Sequence, residues 1–355
     1  MRVIAKIAGR YRPNLKLWLL FKAPLFRTNG KRVAIIGCGH HAYSSIAYFL
    51  TRYSASTVFY VADKNVEAAR SLAYAYALNP EMSMLTSSLN KCELAFIASN
   101  HASHADYAVD CLNLGMDVFI EKPICTSAKQ LKKLSEAVYN SGGCVFSGFN
   151  RPYSDAIQSL RERVVVDENP FSLNCSIVGH ALPNDHWYRN EEEGSRVLSN
   201  LCHWLDLSIH FLVSFKIKKF EFLDIELFLS DHDTPSENMV INIKSSNQDL
   251  ISIFFTTRSE PFEGVSEFIL FQKGDLIMKI DDFRSAKFWK NENFEEITYH
   301  QKDNGHKACV MQPFLEESDR HFRSWEETVL SARLALTVDQ MARHGDLHRR
   351  VTLTE

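Results

Sequence analysis

The stretch R-V-A-I-I-G-C-G-H-H-A, residues 32–42, decides how the N-terminal half of the chain folds. Its first part, Arg32 to Gly37, is a short apolar run of the kind that forms a strand buried on both faces. Its second part, Gly37 to Ala42, matches G-x-G-x-x-A directly after that strand and opens a helical stretch from about Ala42 to Tyr53. In that setting Gly37 permits a tight turn and Gly39 lets the backbone approach a pyrophosphate. Ala42 lets the helix sit close to the sheet. The helix start at His40 and His41 then presents amide groups to the phosphates, with the helix dipole behind them.

Working outward, Thr57–Ala62 reads as the second strand and ends at Asp63, about twenty residues beyond the glycine turn. A carboxylate there accepts hydrogen bonds from a ribose diol and repels a 2'-phosphate, which favours NAD. Lys64 beside it keeps NADP open as the alternative cofactor. The plainer reading of Asp63 is a cap for the helix that follows, from Asn65 to Ala77. The alternation then repeats, with strands at Leu94–Ile97, Asp117–Ile120 and Val145–Phe149 and helices at Ser103–Leu114 and Thr126–Asn140. Apolar strands alternating with helices predict a Rossmann, doubly wound parallel sheet. After Asn150-Arg151-Pro152 the rhythm changes to a strand at Phe171–Val178 and a helix over Arg196–Val213. Alternating strands follow at Lys218–Phe228, Asn238–Lys244, Leu250–Thr257, Ser266–Gln272 and Leu276–Asp281. This half reads as an α+β domain with an open, mainly antiparallel sheet. The expected division is therefore a basic arm over 1–30, a Rossmann domain over 31–150 and a substrate and oligomerisation domain over 151–324. A C-terminal helix and tail, 325–355, pack back on the body.

A chain of 355 residues accommodates two domains. With 40 basic and 43 acidic side chains the net charge is -3, which argues against a nucleic-acid partner. The 8 cysteines contain no C-x-x-C pair and read as free thiols of a reducing, cytoplasmic compartment. No segment is long and apolar enough for a transmembrane helix, and Leu17–Phe21 is too short. The basic arm, with Trp18, Leu19, Leu20 and Phe21, reads first as packed on its own protein and second as a peripheral membrane contact. The histidine spacing shows no metal-ligand regularity, so no metal is expected.

Chemistry in an open parallel sheet collects at the carboxyl ends of its strands, where Glu121-Lys122-Pro123 follows Asp117–Ile120. Lys122 there can hydrogen-bond a substrate oxygen and take part in proton transfer, or it can simply end the strand. His203 shares a helical face with Ser199 and Asp206. It is either a second acid–base group or a core histidine satisfied by Asp206. His180, Asp185, His186 and Trp187 form a polar-aromatic, loop-like cluster suited to a sugar-like ligand, or a surface loop with an interface tryptophan.

These residues resemble the glucose–fructose oxidoreductase / inositol dehydrogenase / rhizopine-catabolism (Gfo/Idh/MocA) family of NAD(P)-dependent oxidoreductases. The resemblance runs from about Lys31 over nearly the whole chain. Its ordered elements are Gly37–Ala42, Asp63, the Asn100–His104 turn, Glu121-Lys122-Pro123, Asn150-Arg151-Pro152-Tyr153-Ser154 and Gly194–Asp206. It implies hydride transfer between nicotinamide and a carbinol carbon of a sugar, cyclitol or nucleotide-linked sugar, with polysaccharide biosynthesis as the setting. It makes Lys122 and His203 the catalytic pair. Ser99, Asn100, His104, Glu121 and Pro123 join the cofactor site. Asn150, Arg151, Tyr153 and Asn200 join Asp185, His186, Trp187 and His203 around the substrate. A homo-oligomer, dimer or tetramer, through the C-terminal sheet is also implied. Ser199 stands where many members carry an aspartate, and Asn200 stands where a subgroup carries glutamate. Two alternatives therefore remain beside the oxidoreductase: NAD-assisted elimination or glycoside cleavage without net redox, and a non-catalytic NAD-binding partner or sensor.

Overall fold

The computed structural model describes residues 2–11, 31–53, 57–76, 78, 89–231, 234, 236–261, 264–315 and 323–352. The chain divides into two compact units, Met1–Gly148 with His306–Arg323, and Phe149–Gly305 with Ser324–Glu355. The sequence expectation placed 306–323 with the second domain. The structure groups that stretch with the first, where the short helix His306–Met311 packs on the helix after the glycine turn. A return of this kind depends on contacts far apart in the chain, which local patterning does not encode.

The first unit is a five-stranded parallel sheet in the order β2-β1-β3-β4-β5, with β1 Arg32–Ile36, β2 Thr57–Ala62, β3 Leu94–Ile97, β4 Asp117–Ile120 and β5 Val145–Ser147. β3 is buried along its whole length, as a strand covered on both faces must be. The covering helices include α1 Arg2–Tyr11, α2 Ala47–Tyr53, α3 Val66–Tyr76, α4 His104–Asn113 and α5 Ala128–Asn140. Ser127 caps α5 by accepting from the Gln130 amide at 3.2 Å, and the Gln130 side chain accepts from the Thr126 amide at 2.8 Å. These reciprocal bonds satisfy amides that the first helical turn leaves open. α1 buries Ala5 and Ala8, so this part of the arm packs on its own unit. Trp18 to Phe21, on which the membrane expectation rested, lie outside the described residues.

The second unit is a nine-stranded sheet in the order β13-β12-β11-β10-β6-β9-β8-β7-β14. Its strands are β6 Phe171–Val178, β7 Leu223–Leu229, β8 Met239–Ser245, β9 Leu250–Thr256, β10 Ser266–Lys273, β11 Leu276–Asp281, β12 Ser285–Lys290, β13 Asn293–Thr298 and β14 His348–Val351. Every pairing is antiparallel except β6 with β9. Helix α6 is Asp155–Arg163, α7 is Cys202–Ser214 and α8 is Trp325–His344. Phe211 on α7 and Phe215 at its C-cap meet Phe171 and Phe271 from the sheet with ring centroids 5.2–6.3 Å apart, an aromatic core packed mostly edge-on. α8 packs on α7, joined by His210 Nδ1 at 2.8 Å from Glu327 Oε1. β7 begins five residues later than Lys218, because the preceding segment is held by the β8–β9 turn. Asn247 donates to the Lys218 carbonyl at 2.9 Å, and the Glu221 amide donates to Ser246 at 2.8 Å.

Candidate functional site

The glycine turn has the form its two glycines require. Gly37 has φ +90°, and a Cβ there would lie 2.4 Å from the Ala98 carbonyl and the Ser99 amide nitrogen. Only glycine fits. Gly39 is different. No atom lies within 4 Å of where its Cβ would be, so the protein itself does not demand a glycine there. The open space above Gly39 suits a bound pyrophosphate, which a side chain would displace. Ala42 is fully buried at the start of a π-helical segment, Ala42–Ile46, that leads into α2.

Asp63 binds the turn directly. One carboxylate oxygen accepts from the Cys38 amide at 2.6 Å and the other from the Asn65 amide at 2.7 Å. Asn65, rather than Asp63, caps α3 by accepting from the Glu67 and Ala68 amides at 3.1 and 3.3 Å. Each Asp63 oxygen retains capacity for a further hydrogen bond, as a ribose diol would need. Lys64 is exposed.

His40 turns toward the N-terminal helix, with Nε2 3.1 Å from the Lys6 carbonyl. His41 turns the other way, toward Glu121, with Nε2 2.9 Å from Oε1. Glu121 is buried at the end of β4, and burial alone would raise its pKa. His41, Lys122 and His104 outweigh burial and hold the carboxyl below its ordinary range. The Lys122–Pro123 peptide bond is cis. Gly148 passes so close that a Cβ would lie 2.9 Å from the Glu121 backbone, a requirement that sequence reading did not find. Lys122 itself is half-buried.

His104 joins two loops of the same unit. Its Nδ1 lies 2.8 Å from the Pro123 carbonyl and its Nε2 3.1 Å from the Ser99 carbonyl. Burial lowers its pKa despite those carbonyls and Glu121. Its ring ties the Pro123 turn to the Ser99 loop. Ser99 and Asn100 are tied to that loop through Ser103, whose hydroxyl lies 2.7 Å from the Ser99 hydroxyl and 2.8 Å from the Asn100 side-chain oxygen.

In the second unit, His203 lies near the start of α7, buried between Phe149 and Trp204 at centroid distances of 6.4 and 6.1 Å. The helix expected over Arg196–Val213 begins instead with a π-helical segment, Val197–Leu201. An inserted residue of this kind re-aims neighbouring side chains and recurs at functional positions, and it alters the single-face alignment expected of Ser199 with His203. Ser199 is fully buried, and its hydroxyl lies 3.3 Å from the Asn200 side-chain oxygen.

Asn150 and Arg151 are both buried, and their side chains make contacts in the unit's interior. Arg151 forms two 3.0 Å hydrogen bonds with the fully buried Glu267, a third to Asn150 at 3.0 Å, and lies over the Trp204 ring at 5.0 Å. Asn150 donates to the Asn304 carbonyl at 2.5 Å. A guanidinium this deep requires such a partner. Tyr153 is half-buried in the short turn Arg151–Tyr153.

Asp185 and Trp187 are exposed, and His186 Nδ1 accepts from the Tyr188 amide at 3.2 Å. Partial burial, then Arg196 and Arg189, lower the His186 pKa and favour a neutral ring. Sequence reading missed Arg196, which is buried and donates to the His180 carbonyl at 2.6 Å. Glu237 links it to Arg189, at 3.6 and 2.9 Å respectively. The available signal was Gly194-Ser195-Arg196, with Gly194 at φ +86°.

Residues 31–149 match the family model described as "Oxidoreductase family, NAD-binding Rossmann fold" and labelled GFO_IDH_MocA. That stretch holds the glycine turn, Asp63 and Glu121-Lys122-Pro123 together. Residues 31–149 are thus similar to the NAD-binding domain of the Gfo/Idh/MocA oxidoreductases. The chain is 25% identical over 190 residues to an inositol 2-dehydrogenase of Burkholderia ambifaria (strain MC40-6), covering 50% of this chain and 52% of that protein. The chain thus spans about half the length of the curated relatives it matches first. Similar folds occur in the dehydrogenase MviM from Clostridium difficile (TM-score 0.71, 17% identity, 88% of this chain and 99% of that one). They occur also in the 3-ketoreductase KijD10 from Actinomadura kijaniata, solved with NADP and TDP-benzene (TM-score 0.69, 15% identity, 89% and 98%).

Proposed function

We propose that this chain is an NAD(P)-dependent oxidoreductase acting on a secondary hydroxyl or keto carbon of a sugar, cyclitol or nucleotide-linked sugar. The observation that carries the reading is the pair of glycines. Gly37 is demanded by the protein's own backbone, whereas Gly39, in the same turn, borders open space in which a Cβ would meet no protein atom. Asp63 favours NAD over NADP. The inositol dehydrogenase and ketoreductase relatives support the substrate class.

When bound, the nicotinamide supplies the hydride chemistry. The protein orients the substrate and moves a proton. Lys122 donates a hydrogen bond to the substrate oxygen, and the His203 imidazole accepts the hydroxyl proton during oxidation. Ser199 and Asn200 take no proton, so no carboxylate at those two positions assists. That absence is the observation behind the second reading, a dinucleotide-binding sensor without turnover.

The outward face of the nine-stranded sheet exposes Phe254, Phe268, Leu270 and Ile277 beside a concavity of about 700 Å³. An apolar sheet face needs cover, and a homo-oligomer through this face supplies it. All eight cysteines are free, which suits a reducing, cytoplasmic setting. No helix among the described residues is long and apolar enough to cross a membrane.

A panel of cyclitols, sugars and nucleotide sugars followed at the NADH absorbance tests the reaction. A substrate-dependent change that falls about 100-fold or more in Lys122→Ala supports it. Bound NAD with no change on any substrate, and no effect of that substitution, favours the sensor.

A further inference from the structure

We propose that helix α1 docks the protein on an anionic membrane surface, with Ile4, Ile7 and Tyr11 entering the headgroup region and Lys6 and Arg10 lying beside them. Such docking goes beyond the reaction proposed above and does not depend on it. The residues concerned are those of Arg2–Tyr11 rather than Trp18–Phe21.

The amphipathicity of α1 is turned inside out. Its small residues face the body of the unit, where Ala5, Ala8 and Gly9 are buried. A Cβ on Gly9 would lie 3.2 Å from the rings of His40 and Tyr43, so the helix sits close on the segment after the glycine turn. The Lys6 carbonyl, 3.1 Å from His40 Nε2, adds a polar contact to that seat. The large apolar residues point the other way. Ile4, Ile7 and Tyr11 recur at the i, i+3, i+7 spacing of a single helical face, and they are 39%, 55% and 71% exposed. A helix that served only to pack on its own unit would bury the isoleucines and expose the alanines. Here the more apolar face is left in water, and an apolar phase outside the protein relieves that cost.

Charge selects the phase. Lys6 and Arg10, at i and i+4, are exposed along one flank of the stripe, and the Arg10 guanidinium lies 5.8 Å over the Tyr11 ring. Residues 1–30 hold seven basic side chains and no acidic one, so all 43 acids of the chain follow them. Anionic lipid attracts such a segment, and a helix that lies in the membrane interface combines an apolar stripe with a basic flank. The width of the stripe points the same way. Three side chains cover well under the roughly 800 Å² per partner that a stable protein interface buries. A bilayer accepts a narrow apolar ridge without matching its shape.

Co-sedimentation of the full chain with vesicles tests the proposal, using phosphatidylcholine alone and phosphatidylcholine with about 30% phosphatidylglycerol. Binding to the anionic vesicles should exceed binding to the neutral ones by at least about tenfold, and should weaken as salt rises. Ile4→Gln combined with Ile7→Gln should lose at least about tenfold of that binding. Lys6→Gln combined with Arg10→Gln should lose at least about fivefold. All four side chains are exposed, so both variants should unfold at the wild-type temperature in the absence of lipid. A wild type that ignores the anionic vesicles, or binds the neutral ones as tightly, overturns the proposal without recourse to any variant. An isoleucine variant that binds as the wild type does also overturns it, because charge elsewhere in the first thirty residues would then suffice. A wild type that leaves vesicles alone but forms an oligomer, broken by the isoleucine substitutions, would assign the stripe to a second copy of this chain instead.

Discussion

Glu267 receives two parallel hydrogen bonds from Arg151, each 3.0 Å long, and a third of the same length from the indole of Trp204. None of these side chains reaches solvent to any useful extent. The network joins β10, the Arg151–Tyr153 turn and α7, the helix that carries His203. Lys302 also reaches Asp282 at 2.5 Å, and the Glu267 amide donates to Asp282 at 3.1 Å, which extends the network through the following strand end. Removing one member leaves an uncompensated buried charge. Glu267→Ala is expected to lose about 3–5 kcal/mol of stability, read by urea denaturation. A loss under about 1 kcal/mol would show that water takes over the vacated site.

The two glycines of the turn should respond in opposite ways. Gly37→Ala places a Cβ against backbone atoms at 2.4 Å with φ +90°, and should destabilise the fold by about 2–4 kcal/mol. Gly39→Val meets open space and should change stability by no more than about 1 kcal/mol. Its NAD affinity should nonetheless fall at least about tenfold. Thermal unfolding with and without NAD distinguishes the two. Equal unfolding losses for both variants would remove Gly39's special standing.

The nucleotide half was legible because its signals are local. The apolar strands, the glycine turn and Asp63 each lie within a few residues of the feature they predict, and all five parallel strands stand where patterning put them. The site was less legible wherever partners are distant in sequence. His41 and Glu121 are 80 positions apart, and Arg151 and Glu267 are 116 apart, so no window of sequence joins them. The partner of Arg151 was hidden in β10, although an acid at an inward position of that alternating strand was a usable clue. β12, β13 and β14 escaped as well, the last two for a reason of their own. The segment N-F-E-E-I-T is exposed along nearly all its length, and H-R-R-V pairs with β7 through the exposed Arg350–Asp224 ion pair rather than through apolar alternation. Neither π-helical segment changes composition, so neither has a sequence signature.

Asp63 anchors the turn through Cys38 and is the residue proposed to receive the ribose. Asp63→Asn should keep a hydrogen-bonding side chain and leave the fold intact. Removal of its charge should narrow the preference for NAD over NADP by about tenfold. Paired titrations with NAD and NADP read the ratio, and an unchanged ratio would assign Asp63 to the turn alone.

His104 makes stability depend on pH. Its folded pKa is lowered by burial, so the unfolded chain binds more protons in the window between that pKa and the ordinary value of 6.5. Stability should therefore be complete above that value and decline as pH falls below it, by up to about 1.4 kcal/mol per pH unit. Glu121 acts in the same direction at lower pH, since its folded carboxyl is held below the ordinary 4.5. Urea midpoints measured from about pH 7.5 down to pH 5.5 should fall for the wild type and flatten for His104→Gln. An equally steep decline in that variant would move the effect to another group.

The most direct test of the dinucleotide site is native mass spectrometry of the full chain purified without added cofactor, then titrated with NAD. The account predicts a mass increment of one NAD per chain, either retained from purification or gained on titration, and greatly reduced in Gly39→Val. A folded wild-type chain that shows no dinucleotide increment at saturating NAD or NADP would contradict it.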